Sequence, residues 1–387
     1  MNPPALGPFA GGKGRLLLEG AGVRLIMAPM RPLPILLFAL SAAAPAVAQD
    51  TIRFRDPGRP RMTGEITAMN FRVVEIEIDV GGLRVPQKVN SREILEIEID
   101  PGRKSHDFYS GEEAMNRGDY AKAAERFGLA RKDPREVVKQ TAAMNVVRCH
   151  FLSGDLPAAL NAIKAFRQEK PETYYLRETY EYEYRCYLQQ GDAAGMARTV
   201  DEFEKKGRSE KLDEWTKSAE ILRARLHEFQ GKWAEALGIF SRHARDPEVG
   251  EEAALGELRC LTRMKNWSPL KAKAEALIVA HKGKKGSERV LMGAYNARGE
   301  SLLQAGNPKE ALFDFMQGVA VLSQGSETSG EHERALALAG IACAQIATHQ
   351  KNPVYKERAR ELLADLERLY PNSPLREELD KAIREIK

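Results

Sequence analysis

The sequence has few of the residues that build metal centres and nucleophilic active sites. Seven histidines and four cysteines are scattered over 387 residues. No two cysteines have the close spacing of a zinc site, so no metal is expected. His227-Glu228 and His332-Glu333 lack the second histidine of a zinc-protease helix. Gly11-Gly12-Lys13-Gly14 lacks the spacing of a phosphate-binding loop. No serine sits in a nucleophile elbow. These absences leave no catalytic residue, metal or cofactor in the reading. Carboxylates are plentiful, but sequence alone cannot pair them. An enzyme acting on cell-wall material therefore requires a folded pocket of converging acids.

Charge of one sign is also lacking. The formal net charge is +4, and the first 48 residues carry Lys13, Arg15, Arg24 and Arg31 against Glu19, so the rest carries +1. That balance argues against nucleic acid as a partner. The one conspicuous apolar run, Leu33 to Leu40, is too short to span a bilayer and is interrupted by proline. It follows Met30-Arg31 and leads to Ala46-Val47-Ala48, a pattern expected of a signal peptide over 30–48. Residues 1–29 then read as an upstream extension, with Met27 or Met30 as the true start. The expected location is periplasmic or secreted, with no stable membrane insertion after cleavage.

Residues 51–103 read as a small β domain. Val74, Ile76 and Ile78 alternate with Glu75, Glu77 and Asp79, and Leu95, Ile97 and Ile99 alternate with Glu96, Glu98 and Asp100. A period of two marks half-buried strands. Gly81-Gly82 is a hairpin turn signal. Further strands are expected at Ile52–Arg55, Gly64–Met69 and Leu83–Val89. The succession Gly64-Glu65-Ile66, Val-x-Ile-x-Ile, Gly-Gly, Val85-Pro86 and Ile94-x-x-Ile97 resembles an SH3-like or Sm-like barrel. So small a domain is expected to lean on the helices behind it.

After Pro101-Gly102-Arg103-Lys104 the period becomes helical. The segment Arg148-Cys149-His150-Phe151-Leu152-Ser153-Gly154-Asp155 recurs in looser form from Glu112, Arg185, Arg225, Arg259 and Glu300. Each copy reads as a helix end, a tight turn and a new helix. The turn residues Gly118, Gly154, Gly191, Gly231, Lys265 and Gly306 are spaced by 34 to 41 residues, the period of helix–turn–helix solenoids. Cys149, Cys186 and Cys260 each precede a turn by five residues, one repeat apart and beyond disulfide reach. They read as small buried apolar residues. Cys343 fits this pattern less well.

A small residue stands five positions after most turns and a bulky one four later: Ala123 and Phe127, Ala159 and Ile163, Met196 and Val200, Ala236 and Phe240, Ala311 and Phe315. Prolines follow at Pro134, Pro171 and Pro247, and a first-helix glycine stands at Gly111 and Gly299. On these residues the chain resembles the tetratricopeptide repeat (TPR) family over roughly 105–387. The resemblance implies a mostly α superhelical solenoid of about seven helical pairs over 104–373, with a capping helix over 374–387. The fifth unit departs most, at Lys265, Leu270 and Ala274, so its packing is the least certain to follow the pattern.

Arg148, Arg185, Arg225 and Arg259 all lie six residues before their turns. In the family the first helices line the concave groove, so the resemblance implies an arginine ladder there, bounded by Glu112 and Glu300. Phe151, Leu188 and Phe229 would add apolar surface beside it. Arginine forks match carboxylates, so a protein or acidic peptide is the expected partner. The competing reading pairs these arginines with neighbouring helices, with Glu181, Glu183, Glu220 and Glu257 as candidates. The crowded tyrosines, Tyr174, Tyr175, Tyr180, Tyr182, Tyr184 and Tyr187, read mainly as packing. The chain as a whole reads as an exported, non-enzymatic scaffold that holds a partner. Self-assembly into a homo-oligomer, through an open repeat end or a strand edge, is the alternative.

Overall fold

The computed structural model describes residues 49–321 and 329–386. The expected signal peptide and the segment before it lie outside the described residues. Five antiparallel strands come first: β1 Asp50–Phe54, β2 Met62–Met69, β3 Val73–Val80, β4 Leu83–Asn90 and β5 Ile94–Glu98. Their order in the sheet is β4-β3-β2-β1-β5. β2 pairs with β1 through its first residues and with β3 through the rest, with an irregularity between Ile66 and Ala68. Gly64 lies where β2 bends past β3, and a Cβ there would stand 2.2 Å from the Glu77 carbonyl oxygen. The sheet has two edges, β4 and β5, so the likeness to an SH3-like or Sm-like barrel holds at the level of a five-stranded antiparallel sheet.

Helices follow in antiparallel pairs. These are α1 His106–Asn116 with α2 Tyr120–Ala130, α3 Glu136–Leu152 with α4 Leu156–Glu169, and α5 Leu176–Gln190 with α6 Ala193–Glu210. Next come α7 Asp213–Phe229 with α8 Trp233–His243, and α9 Gly250–Arg263 with α10 Trp267–His281. The last pairs are α11 Glu288–Gln304 with α12 Pro308–Met316, and α13 Ser329–Gln350 with α14 Pro353–Leu369, followed by α15 Arg376–Arg384. Successive helices pack on each other, and first helices of neighbouring units also touch at α1 and α3, α3 and α5, α7 and α9, α9 and α11, and α11 and α13. Their apolar faces therefore merge from unit to unit, as stacked repeats require.

Local chemistry sets each turn. Gly154 adopts φ +78, the left-handed conformation that ends a helix without steric cost. Asp155 then caps α4 by accepting from the Ala158 amide at 3.0 Å. Asp119 and Asp192 do the same for α2 and α6. Lys265 takes the same left-handed backbone, φ +57, without glycine's freedom.

The small-then-bulky pairs are all buried. Ala123, Ala159, Met196, Ala236 and Ala311 are 0% exposed, and Phe127, Val200, Phe240 and Phe315 equally so. The fifth unit packs like the others: Leu270 and Ala274 are also fully buried. The reason is reciprocal volume. A leucine stands where the others have a small residue, and an alanine where they have a bulky one, so the filled space is conserved. Gly111 and Gly299 admit the rings of Phe127 and Phe315. Gly256, which the repeat pattern does not mark, admits Phe240 from the preceding unit. The four cysteines are buried free thiols, and burial pushes Cys149, Cys186 and Cys343 up to about 11 and Cys260 to about 12.

The sheet does not stand apart from the helices. Ile52, Val74 and Ile94 share one core with Phe108, Phe127, Val147 and Ile163. Gln140 of α3 donates to the Met69 carbonyl at 2.9 Å, and its own side-chain oxygen accepts from Thr173 at 2.7 Å. Phe71, in the β2–β3 turn, enters the core of α5, α6 and α7 beside Trp215.

Candidate functional site

The helix ends before the turns carry the four expected arginines. Three of them are spoken for. Arg148 on α3 forks onto Glu178 of α5, with Nε and Nη2 each 2.9 Å from a carboxylate oxygen. Its Nη1 reaches Asn145 at 2.7 Å. Arg225 on α7 meets Glu252 of α9 at 2.6 Å. Arg259 on α9 reaches back to Glu228 of α7 with two 3.0 Å bonds and also touches Glu252 at 3.3 Å. Arg289 of α11 adds a third guanidinium to Glu252 at 2.8 Å.

Burial opposes charge in this cluster, but the opposed charges outweigh it. Burial alone would raise the Glu252 carboxyl, yet Arg225, Arg259 and Arg289 hold it down to about 2. Arg148 and Arg259 are likewise held above the ordinary arginine value, against burial, by Glu178 and Glu228 respectively. Glu112 pairs with Lys104 and Glu300 with Arg334. Glu300 differs in sign: burial raises its carboxyl despite Arg334.

Arg185 is the exception. It is exposed, and no carboxylate among the described residues lies within ion-pair distance of it. Its guanidinium stands 5.3 Å from the centre of the Tyr182 ring, and that ring packs edge-on against Phe151 at 5.2 Å. Leu188, one turn further along α5, is 38% exposed, and Phe229 at the end of α7 is 44% exposed. Phe151 is half-buried.

The expected ladder is therefore not a free basic strip. Arg148, Arg225 and Arg259 link neighbouring first helices, and their groups are largely neutralised before any ligand arrives. The acids involved are not those the sequence suggested. Glu181, Glu183, Glu220 and Glu257 bind Arg177, Arg167, His243 and Lys273 instead. A signal for the true partners does exist. Glu178 and Glu252 each stand thirteen positions before their own turn residue, Gly191 and Lys265. The same position in the fourth unit, which would face Arg185, is Ser218. Its hydroxyl is turned onto the Glu214 carbonyl at 2.8 Å. By register, then, a serine stands in the fourth unit where the third and fifth units carry the acid that meets the preceding arginine.

Tyr175, Tyr180 and Tyr184 are buried in the core, and Tyr174, Tyr182 and Tyr187 are partly so. A hollow of about 680 Å³ lies between α4, α5 and α6, lined by Lys164, Arg167, Glu183, Tyr187 and Glu202 among others. Its Glu183 is tied to Arg167 at 2.5 Å. Among the described residues, no group of three or more His, Cys, Asp or Glu is placed to hold a metal ion. Among them, too, no helix is long and apolar enough to cross a membrane.

No protein-family model and no curated protein matches the sequence. Solved structures do. A tetratricopeptide repeat protein from Parabacteroides merdae is 17% identical, with 72% of this chain and 97% of that one covered at a TM-score of 0.49. The C-terminal part of a TPR repeat-containing protein from Cytophaga hutchinsonii is 14% identical, with 72% and 99% covered at 0.37. The TPR2AB domain of yeast Sti1, in complex with pHSP90, is 14% identical, with 59% and 96% covered at 0.22. The paired helices, left-handed turn residues and buried small-then-bulky pairs of this chain itself make its helical region a tetratricopeptide-type repeat array, preceded by a five-stranded antiparallel sheet.

Proposed function

We propose that the protein is an exported, non-enzymatic scaffold that holds a partner protein on its row of first helices, centred on Arg185. The observation that carries this is the unneutralised Arg185 guanidinium, with Tyr182 and Phe151 beside it and exposed Leu188 and Phe229 on the same row. A free fork flanked by apolar surface suits a carboxylate next to a greasy side chain. The partner's acidic requirement is thus one carboxylate, not the run of them that four free arginines would demand. Export rests on the leader sequence, and the periplasm or the exterior is the location it supports.

Self-assembly through the sheet edge is the weaker reading. Pro86 sits within edge strand β4 and Lys88 is exposed on it, and both discourage pairing with another strand.

The test is affinity capture with the tagged chain, identification of what is retained, and repetition with Arg185→Glu and with Leu188→Asp. Retention that drops about tenfold in both supports the reading, since tenfold is about 1.4 kcal/mol, within the range of one interface anchor. Equal retention by both variants removes the first-helix row as the binding site. Cell fractionation with mass measurement of the mature chain checks cleavage after Ala48.

A further inference from the structure

A second concentration of arginine lies in the β domain, away from the repeat positions. The β1–β2 loop reads Arg55-Asp56-Pro57-Gly58-Arg59-Pro60-Arg61. The short turn before β5, Ser91–Glu93, brings in another: Arg55 donates from Nε to the Arg92 carbonyl at 3.0 Å, and its amide donates to the Glu93 carbonyl at 2.9 Å. Arg55, Arg59 and Arg92 thus share one end of the sheet, and Arg61 ends the same loop, just before β2. Arg55, Arg61 and Arg92 are exposed.

The acids nearby do not balance them. Glu93 is engaged by Arg59, whose guanidinium also lies 3.6 Å above the Phe54 ring. Asp56 is turned into its own loop, accepting from the Gly58 amide at 2.9 Å. Among the described residues, no carboxylate pairs with Arg55, Arg61 or Arg92. The contrast with the rest of the sheet is marked: Arg53 is held by Glu96 and Glu98, Arg84 by Glu65 and Glu77, and Lys88 by Glu75. Among the described residues of the sheet, only this end keeps cations without a carboxylate partner.

All four cations are arginines, and the loop is stiffened by two prolines. Forked guanidinium groups on a rigid loop suit closely spaced oxyanions better than diffuse negative charge. The loop has no exposed aromatic side chain on which a base could stack, since Phe54 is buried. Nor does it carry a large apolar side chain, and the single exposed Leu95 of β5 is too little to enter a bilayer. Carboxylates are what these features leave.

We propose that Arg55, Arg61 and Arg92 form a second binding surface that takes an acidic, extended segment of a partner protein. This surface is independent of the Arg185 site and does not rest on that reading. In the whole chain, fluorescence anisotropy with a short dye-labelled peptide of alternating Glu and Ser should report binding at low salt. Arg61→Glu with Arg92→Glu should weaken it by about tenfold or more. Arg61→Lys with Arg92→Lys keeps the charge and loses the fork, and should weaken it by about threefold. Arg61→Ala with Arg92→Ala gives the same answer as the Glu pair if the latter fails to fold, judged by thermal melting. Arg185→Glu should leave this binding unchanged.

Four results overturn the proposal. One is no binding by the unaltered chain, and another is equal binding by the Glu or Ala pair. The third is tighter retention of polyphosphate or of phosphatidylglycerol vesicles than of the peptide. Loss of peptide binding in Arg185→Glu would also overturn it, by moving the acidic segment to the first-helix row.

Discussion

Arg225 on α7 and Glu252 on α9 meet at 2.6 Å across the boundary between the fourth and fifth units. Glu252 also receives Arg259 from its own helix and Arg289 from the sixth unit. One carboxylate therefore joins three consecutive units. Most of the arginines in the row are inter-unit fasteners, and this leaves Arg185 as the one with chemistry to spare.

Replacing Glu252 by glutamine should destabilise the chain. Three guanidinium groups lose their shared counter-ion in a site where Glu252 is only 17% exposed, and breaking such a cluster costs about 3 kcal/mol. The sign with pH follows from the carboxyl being held at about 2, below its ordinary 4.5. A depressed folded-state value means full stabilisation above the unfolded value and loss as pH falls toward 2. Urea unfolding should show the whole difference between the natural chain and Glu252→Gln at pH 7, and about half of it near pH 3. A difference that stays constant over that range would mean the carboxylate charge is not what joins the units.

Lys265 invites the opposite result. It is a non-glycine residue held at φ +57 at a turn where the equivalent residues of the first four units and the sixth are glycines. The left-handed backbone costs an L-residue about 1–2 kcal/mol, partly offset because glycine is more flexible when unfolded. Lys265→Gly should therefore stabilise by about 0.5–1 kcal/mol. Equilibrium unfolding that shows a loss would indicate a contact of the lysine side chain that outweighs the backbone gain.

Period-two alternation marks β3 and the end of β5, because alternate residues of a half-buried strand differ in polarity, and β1, β2 and β4 follow from the runs between the turn signals. The turn residues were legible because a left-handed backbone selects glycine, and Lys265 was placed by register with its neighbours. The arginines stand out by the same register, and their pairing with neighbouring helices is the reading the structure supports for Arg148, Arg225 and Arg259, but the acids that hold them are not the ones nearest in sequence. An ion pair between units depends on which residue stands opposite, and that partner lies about thirty positions away in the chain. Glu178 and Glu252 are ordinary helix-surface acids until the units stack, and Ser218 stands out only once it is aligned with them by register. The basic loop of the sheet does not stand out in the sequence because the β domain is neutral as a whole, and a total charge hides one uncompensated end.

Two helical glycines should respond in opposite directions to alanine. Gly238 is exposed on α8, with nothing within 4 Å of an added Cβ. Gly238→Ala should stabilise by about 0.5–1 kcal/mol through helix propensity. A Cβ on Gly256 would stand 2.5 Å from the fully buried Phe240 ring. That ring is held from both units, so Gly256→Ala should destabilise by about 1–3 kcal/mol despite the same gain in propensity. Paired thermal melts decide it, and a stabilised Gly256→Ala would show that the seam between the fourth and fifth units gives way more readily than its packing implies.

Phe71 is the side chain by which the sheet grips the third and fourth units. It is 7% exposed, lies 5.2 Å from Trp215 and has the Lys206 ammonium 5.1 Å above its ring. Its amide also donates to the Glu172 carbonyl at 3.3 Å, in the connection between α4 and α5. Phe71→Ala removes a buried ring from this junction and should destabilise by about 3 kcal/mol. The neighbouring Arg72–Glu210 ion pair is half in solvent on the arginine side, so Arg72→Ala should cost less than about 1 kcal/mol. Hydrogen exchange localises the effect. In Phe71→Ala, amides of β2, β3 and the start of α7 should exchange faster, while those of α13 and α14 keep their natural rates. The distant pair is insulated because stacked repeats contact only their neighbours. Uniform acceleration along the whole array would instead mean that the repeats unfold as one unit with the sheet, and that the grip of Phe71 is not local.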